Sequence, residues 1–180
     1  AYALRSHQRT AAAWAAGRFD DEIVPVSVPQ REGDPVVFSK DDGFRADITA
    51  ESRGKLRVLF LNGTVTAGNA SQQNDASAAC LIVAEDKLAE LGLTPMATLV
   101  GWAAAGCEPS HMGIGPVPAV KKLLARLNLR IDAMDLGELN EASACQVLAV
   151  LKGWEWQDQD AIAHTLHANR SGISLGHPIG

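Results

Sequence analysis

This 180-residue chain has no excess of positive charge; its formal net charge is −5. That argues against general attraction to nucleic acid or an anionic membrane, so an anionic ligand must be met by local positive groups. No apolar run is long enough to span a bilayer. Cysteine is scarce: Cys80, Cys107 and Cys145 are odd in number and lack CxxC spacing. Reduced thiols in a cytoplasmic protein fit this better than a disulfide scaffold. The stretch "HMGIGPVPA" lacks the third glycine of a dinucleotide fingerprint and the Lys-Ser/Thr of a phosphate loop. His164 and His167 stand three apart, but no third ligand or cysteine pair accompanies them, so no metal is expected. Internal repeats and low-complexity tracts are absent too. The chain does not open on Met, and residue 1 already lies in a helical-looking segment. It is expected to be a piece of a larger enzyme, so a missing targeting peptide carries little weight.

What is present is the composition of a globular protein, 47% hydrophobic and 21% charged. Residues 2–16 are Ala-rich and free of breakers, and read as a helix closed by Gly17. "EIVPVSVP" reads as a short edge strand, and Gln30 to Asp47 as loop. Thr49, Ser52 and Arg53 start one short helical turn. Apolar runs at 79–84 and 97–107 read as buried strands. Between them "EDKLAELGL" is a compact helix stopped at Gly92. Pro116 opens a helix with Val120, Leu124 and Leu127 on one stripe and Lys121 and Lys122 off it. "MDLGEL" is a short strand leading into a helix from Glu141 to about Lys152. Buried strands alternating with helices imply an α/β layered fold.

Two stretches carry most of the chemistry. In "ELNEASACQ", Asn140 sits at a strand-to-helix junction. One reading makes it an N-cap, its side-chain oxygen accepting from a free helix N–H, with Glu141 favoured by the dipole. The other uses its NH₂ to hold a water in a cleft, since such junctions are where α/β folds place ligands. In "GISLGHPIG", Gly176 permits close approach and Pro178 stiffens the bend that carries His177. His177 is either a surface turn histidine or a group that donates a hydrogen bond or moves a proton near neutral pH. Met112 can be core. Arg45, Arg53, Lys55 and Arg57 form a positive stretch, partly offset by Asp47 and Glu51, that reads first as a solvated face.

In this order "AGRFDDEIVP", "GTVTAGNASQQNDA", "MGIGPVPA", "LNEA" and "GHPIG" resemble the thiolases, the acetyl-CoA acyltransferase family, over essentially the whole chain. The resemblance implies a layered αβαβα fold of two similar halves with a lid inserted in the first. On that map residues 1–68 are the lid, 69–92 the last strand and helix of the first half, and 93–180 the start of the second. It implies cleavage of 3-ketoacyl-CoA in fatty-acid β-oxidation, with acetoacetyl-CoA thiolases the next nearest group. A non-catalytic acyl-CoA-binding or assembly module is the alternative from another class. Coenzyme A and acyl-CoA are the implied ligands, as substrates rather than cofactors, and a homodimer or homotetramer the implied assembly. Neither nucleic acid nor membrane is an expected partner.

The same resemblance assigns roles. His177 helps activate a nucleophilic cysteine and donates to the thioester oxygen as it becomes enolate-like. Asn140 anchors a water beside it. Ser71 and Met112 lie beside the pantetheine arm and acyl pocket, and Arg45 near the adenine end of coenzyme A. The family's nucleophilic cysteine falls before residue 1 and its second catalytic cysteine beyond Gly180, so the isolated chain is expected to be inactive. Cys80, Cys107 and Cys145 are expected to be inert packing or strand residues. Ser143 stands where the family usually has Phe, Arg170 and Ala76 where it has Gly, and Gly137 where it has a β-branched residue.

Overall fold

A computed structural model describes residues 1–156, 165–166 and 172–176. His164, His167, Arg170, His177 and Pro178 lie outside the described residues.

Helix α1 spans Tyr2–Ala15. It buries Ala3, Ser6, His7, Thr10 and Ala13, a single face at helical spacing. Gly17, at φ 65°, ends it where expected. Strand β1 (Val26–Val28) forms the expected edge strand. Its partner β2 (Val36–Phe38) lies inside the stretch read as loop. The two pair antiparallel with Val26 opposite Phe38 and Val28 opposite Val36. The loop reading failed there because a three-residue strand between polar residues is too short to show a period.

Helix α2 (Ala50–Gly54) is the expected turn, closed by a reciprocal cap in which Ser52 N–H donates to Thr49 Oγ1 and Thr49 N–H to Ser52 Oγ. A 3₁₀ turn over Glu85–Lys87 runs into α3 (Leu88–Leu91), and Gly92 stops it at φ 63°. Helix α4 (Pro116–Leu127) begins at its proline as expected. Helix α5 is Ala144–Gly153, so the chain turns helical three residues later than the sequence suggests. Helix α6 is the short Gly172–Leu175.

The apolar runs at 79–84 and 97–107 are not buried strands here. Among the described residues neither belongs to a ladder. Leu81, Ile82, Leu99, Val100 and Trp102 are all exposed. An apolar run becomes a strand only when its N–H and C=O groups find a partner strand, and that partner is not encoded locally. Among the described residues "MDLGEL" likewise forms only an isolated parallel bridge, Gly137 to Leu166.

The core is built on α5. Val147 and Val150 are fully buried and pack with Leu139, Leu151, Trp156 and Leu166. Burying a valine completely is worth about 1.5–3 kcal/mol. Val117 of α4 and Trp154 close one side, and the Trp154 indole donates to the Pro116 carbonyl at 3.3 Å. This core fixes α5, and with it the junction at Asn140.

Candidate active site

Asn140 follows buried Leu139 and precedes Glu141, whose side chain is 1% exposed. It is not the N-cap of α5. Ser143 takes that role, accepting from Gln146 N–H at 3.3 Å, while Gln146 Oε1 accepts from Ala142 N–H at 3.2 Å. A hydroxyl nearer the helix displaces the amide from the cap. The side-chain oxygen of Asn140 is buried and accepts no hydrogen bond among the described residues. The buried atom left wanting a partner is thus the acceptor oxygen, whereas the sequence reading used the NH₂ of the same amide.

The Thr66–Ser71 loop is stitched onto this junction. Ser71 N–H donates to the Ala142 carbonyl, Ala144 N–H donates to the Asn69 carbonyl (both 2.9 Å), and Ala70 bridges Ser143. Within the loop Asn69 Oδ1 accepts from Thr66 N–H at 2.9 Å and its Nδ2 donates to the Thr64 carbonyl at 3.0 Å. Ser71 and Asn140, chosen separately from the sequence, therefore share one neighbourhood.

The segment that leads toward His177 reaches the same place. Gln72 Nε2 donates to the Ser174 carbonyl at 3.0 Å and to the Gly43 carbonyl at 2.7 Å. Asn74 Nδ2 donates to the Leu175 carbonyl at 2.9 Å. Gly176 has φ 102°, and a Cβ there would stand 2.8 Å from Asn74 Nδ2, so the residue before His177 has both a conformational and a spatial reason to be glycine.

Met112 is not core: its side chain is exposed. It lies in a 3₁₀ turn over Pro109–Ile114, and a Cβ on Gly113 of that turn would be 3.2 Å from Gln146 Cγ. The turn thus abuts the first turn of α5. Arg45 is exposed, and its backbone N–H donates to His7 Nδ1 at 3.1 Å. His7 is 4% exposed. Its pKa falls from 6.5 to about 4 through burial first, then through the nearby Arg53 and Arg45. Positive charge does gather locally, around a histidine kept neutral. Cys145 is exposed on α5, 3.1 Å from the Ser143 hydroxyl, rather than packed inside; Cys80 is exposed as well.

Glu141, read from the sequence only as a helix-start residue favoured by the dipole, lies instead before the helix and is buried in a hydrogen-bonded group that the sequence reading missed. Glu141 Oε1 accepts from the Tyr2 hydroxyl at 2.6 Å. Its Oε2 accepts from the Ser6 hydroxyl at 3.0 Å and Ile173 N–H at 3.3 Å. The Ser174 hydroxyl meets Thr10 Oγ1 at 2.6 Å and lies 3.3 Å from the Ser6 hydroxyl oxygen. The legible signal was the polar series Tyr2, Ser6, Thr10, spaced by four along an otherwise Ala-rich helix.

Two family descriptions match the chain: "Thiolase, N-terminal domain" over residues 1–86 and "Thiolase, C-terminal domain" over 93–180. An acetyl-CoA acetyltransferase of Chromobacterium violaceum is 48% identical over 100% of this chain and 45% of its own length. The crystal structure of the Bacillus anthracis acetyl-CoA acetyltransferase is similar at a TM-score of 0.91, with 46% identity over 99% of this chain and 44% of that one. That of human mitochondrial 3-ketoacyl-CoA thiolase gives 0.84 and 40% identity, again over 99% and 44%. This chain spans less than half the length of each, and its partial thiolase-like α/β fold matches the sequence expectation.

Proposed function

Because this chain belongs to the thiolase family, we propose that it forms part of an acetyl-CoA acyltransferase that cleaves 3-ketoacyl-CoA with coenzyme A. One observation carries the reading. Three segments distant in sequence, around Ser71, around Asn140 and at Ile173–Gly176, are hydrogen-bonded into one site beside a buried carboxamide oxygen that lacks a donor among the described residues.

The chemistry follows from that acceptor. A cysteine thiolate, supplied from outside these 180 residues, adds to the keto carbonyl of the acyl-CoA. The C2–C3 bond breaks, the acyl group stays on sulfur, and the electron pair leaves as the enolate of acetyl-CoA. A proton returns to C2, and the thiol of a second coenzyme A then takes the acyl group from the cysteine. Negative charge therefore builds on the thioester oxygen. A water that donates one proton to Asn140 Oδ1 has its other proton free for that oxygen, and His177 is assigned as the second donor. Preorganised donors of this kind are worth about 3–4 kcal/mol each. Ser71 is assigned to the pantetheine arm, Met112 to the acyl pocket, and Arg45 to the adenine end of coenzyme A.

Residues 1–68 are assigned to the lid, 69–92 to the end of the first half and 93–180 to the start of the second. A homodimer or homotetramer is the proposed assembly and the cytoplasm the proposed compartment. Among the described residues no helix is long and apolar enough to cross a membrane. A second reading, a short-chain enzyme acting on acetoacetyl-CoA, is favoured by the two relatives named acetyl-CoA acetyltransferase.

The test is turnover of the complete protein on 3-ketoacyl-CoA substrates of increasing length. Activity on long chains supports the first reading, and activity confined to acetoacetyl-CoA the second. His177→Ala is expected to cut kcat by about 100-fold or more with the fold intact. Coenzyme A binding without turnover by the wild-type protein would instead identify a non-catalytic module.

A further inference from the structure

Glu141 is a carboxylate removed from water at the centre of the assembly, and it is not one of the groups assigned to the reaction. Burying such a side chain costs several kcal/mol unless its oxygens are satisfied. The three donors named above satisfy it: two hydroxyls of α1 and the Ile173 N–H of α6. Burial and the carboxylate push the Tyr2 phenol well above its usual pKa, so it remains a donor.

We infer that Glu141 is a positioning residue, holding the Asn140 junction at a fixed distance from the α6 segment that enters His177. Its backbone neighbours Asn140 on one side and, on the other, Ala142, whose carbonyl receives Ser71. Its side chain takes Ile173 N–H, three residues before Gly176. Ser174 adds a second tie to the same helix face through Ser6 and Thr10. The three donors named all give a proton to Glu141, which favours an acceptor-only carboxylate over an amide. The backbone donor at Ile173 cannot turn round, whereas the two hydroxyls can. Glutamine, with its oxygen toward Ile173, keeps that tie while losing the charge; alanine loses both.

The inference rests on the thiolase reading, and the test separates the two. Thiolysis by the complete protein is measured for wild type, Glu141→Gln, Glu141→Ala and Tyr2→Phe, with thermal unfolding of each and hydrogen exchange over residues 172–176. A catalytic geometry loosened by an ångström costs on the order of 100-fold in rate. Glu141→Ala is therefore expected to lose about 100-fold in kcat with KM for coenzyme A changed by less than about 2-fold. Glu141→Gln is expected to recover at least about 10-fold of that loss, and exchange at Ile173 to quicken in the alanine variant only. Should the alanine variant fail to fold, Tyr2→Phe carries the test, with a smaller kcat loss at constant KM. Full kcat in a folded Glu141→Ala, or in Tyr2→Phe if alanine does not fold, would overturn the inference. So would a fall in kcat matched by a rise in KM, or no rescue by glutamine. A wild-type protein without thiolysis would instead overturn the functional reading, and this inference with it.

Discussion

Gly153 on α5 and Val117 on α4 stand closer than two side chains allow: a Cβ at 153 would lie 2.6 Å from Val117 Cγ2 and 3.1 Å from Cγ1. The missing side chain lets the two helices meet, and Trp154 can then reach the Pro116 carbonyl. Two effects compete in Gly153→Ala. Alanine gains about 1 kcal/mol of helix propensity, while overpacking against a branched side chain costs about 1–3 kcal/mol. The clash is expected to win, with a net loss of up to about 2 kcal/mol by denaturant unfolding.

His7 makes stability depend on acid. Its folded pKa of about 4 lies below its unfolded value of 6.5, so between those values the unfolded chain binds the extra proton. Stability contributed by neutral His7 is complete above about 6.5 and is lost as pH falls toward about 4. His7→Gln leaves an acceptor for Arg45 N–H and removes the titration. The difference in unfolding free energy between wild type and variant should shift against wild type over that window. A difference that stays flat with pH would show that His7 does not bind a proton on unfolding.

Ser143 tests the local start of α5. Its hydroxyl is the acceptor for Gln146 N–H, so Ser143→Ala is expected to cost about 0.5–2 kcal/mol. Ser143→Thr should recover most of it. The residue that stands in place of the family's Phe thus carries a helix-start function of its own, measurable by thermal unfolding.

Helix starts and stops were legible because their causes lie within a few residues: Pro116 at the first position of α4, Gly92 after α3, the Thr49–Ser52 pair at α2. The site was legible only in part. Asn140 and His177 stood out through motif resemblance, while single-residue physics left Asn140 between a cap and a cleft, and the structure gave the cap to Ser143. Cys145 was misplaced because apolar neighbours in sequence need not be neighbours across a helix, and its own face looks outward.

By itself the sequence determined which stretches coil, where they stop, and which family pattern they follow, since those depend on contacts a few residues apart. Tertiary structure alone decided whether the apolar runs at 79–84 and 97–107 found partners, and that Tyr2 would meet Glu141 across 139 residues. Strand pairing and buried hydrogen bonds need groups brought from far along the chain, and no local pattern records which distant group will arrive.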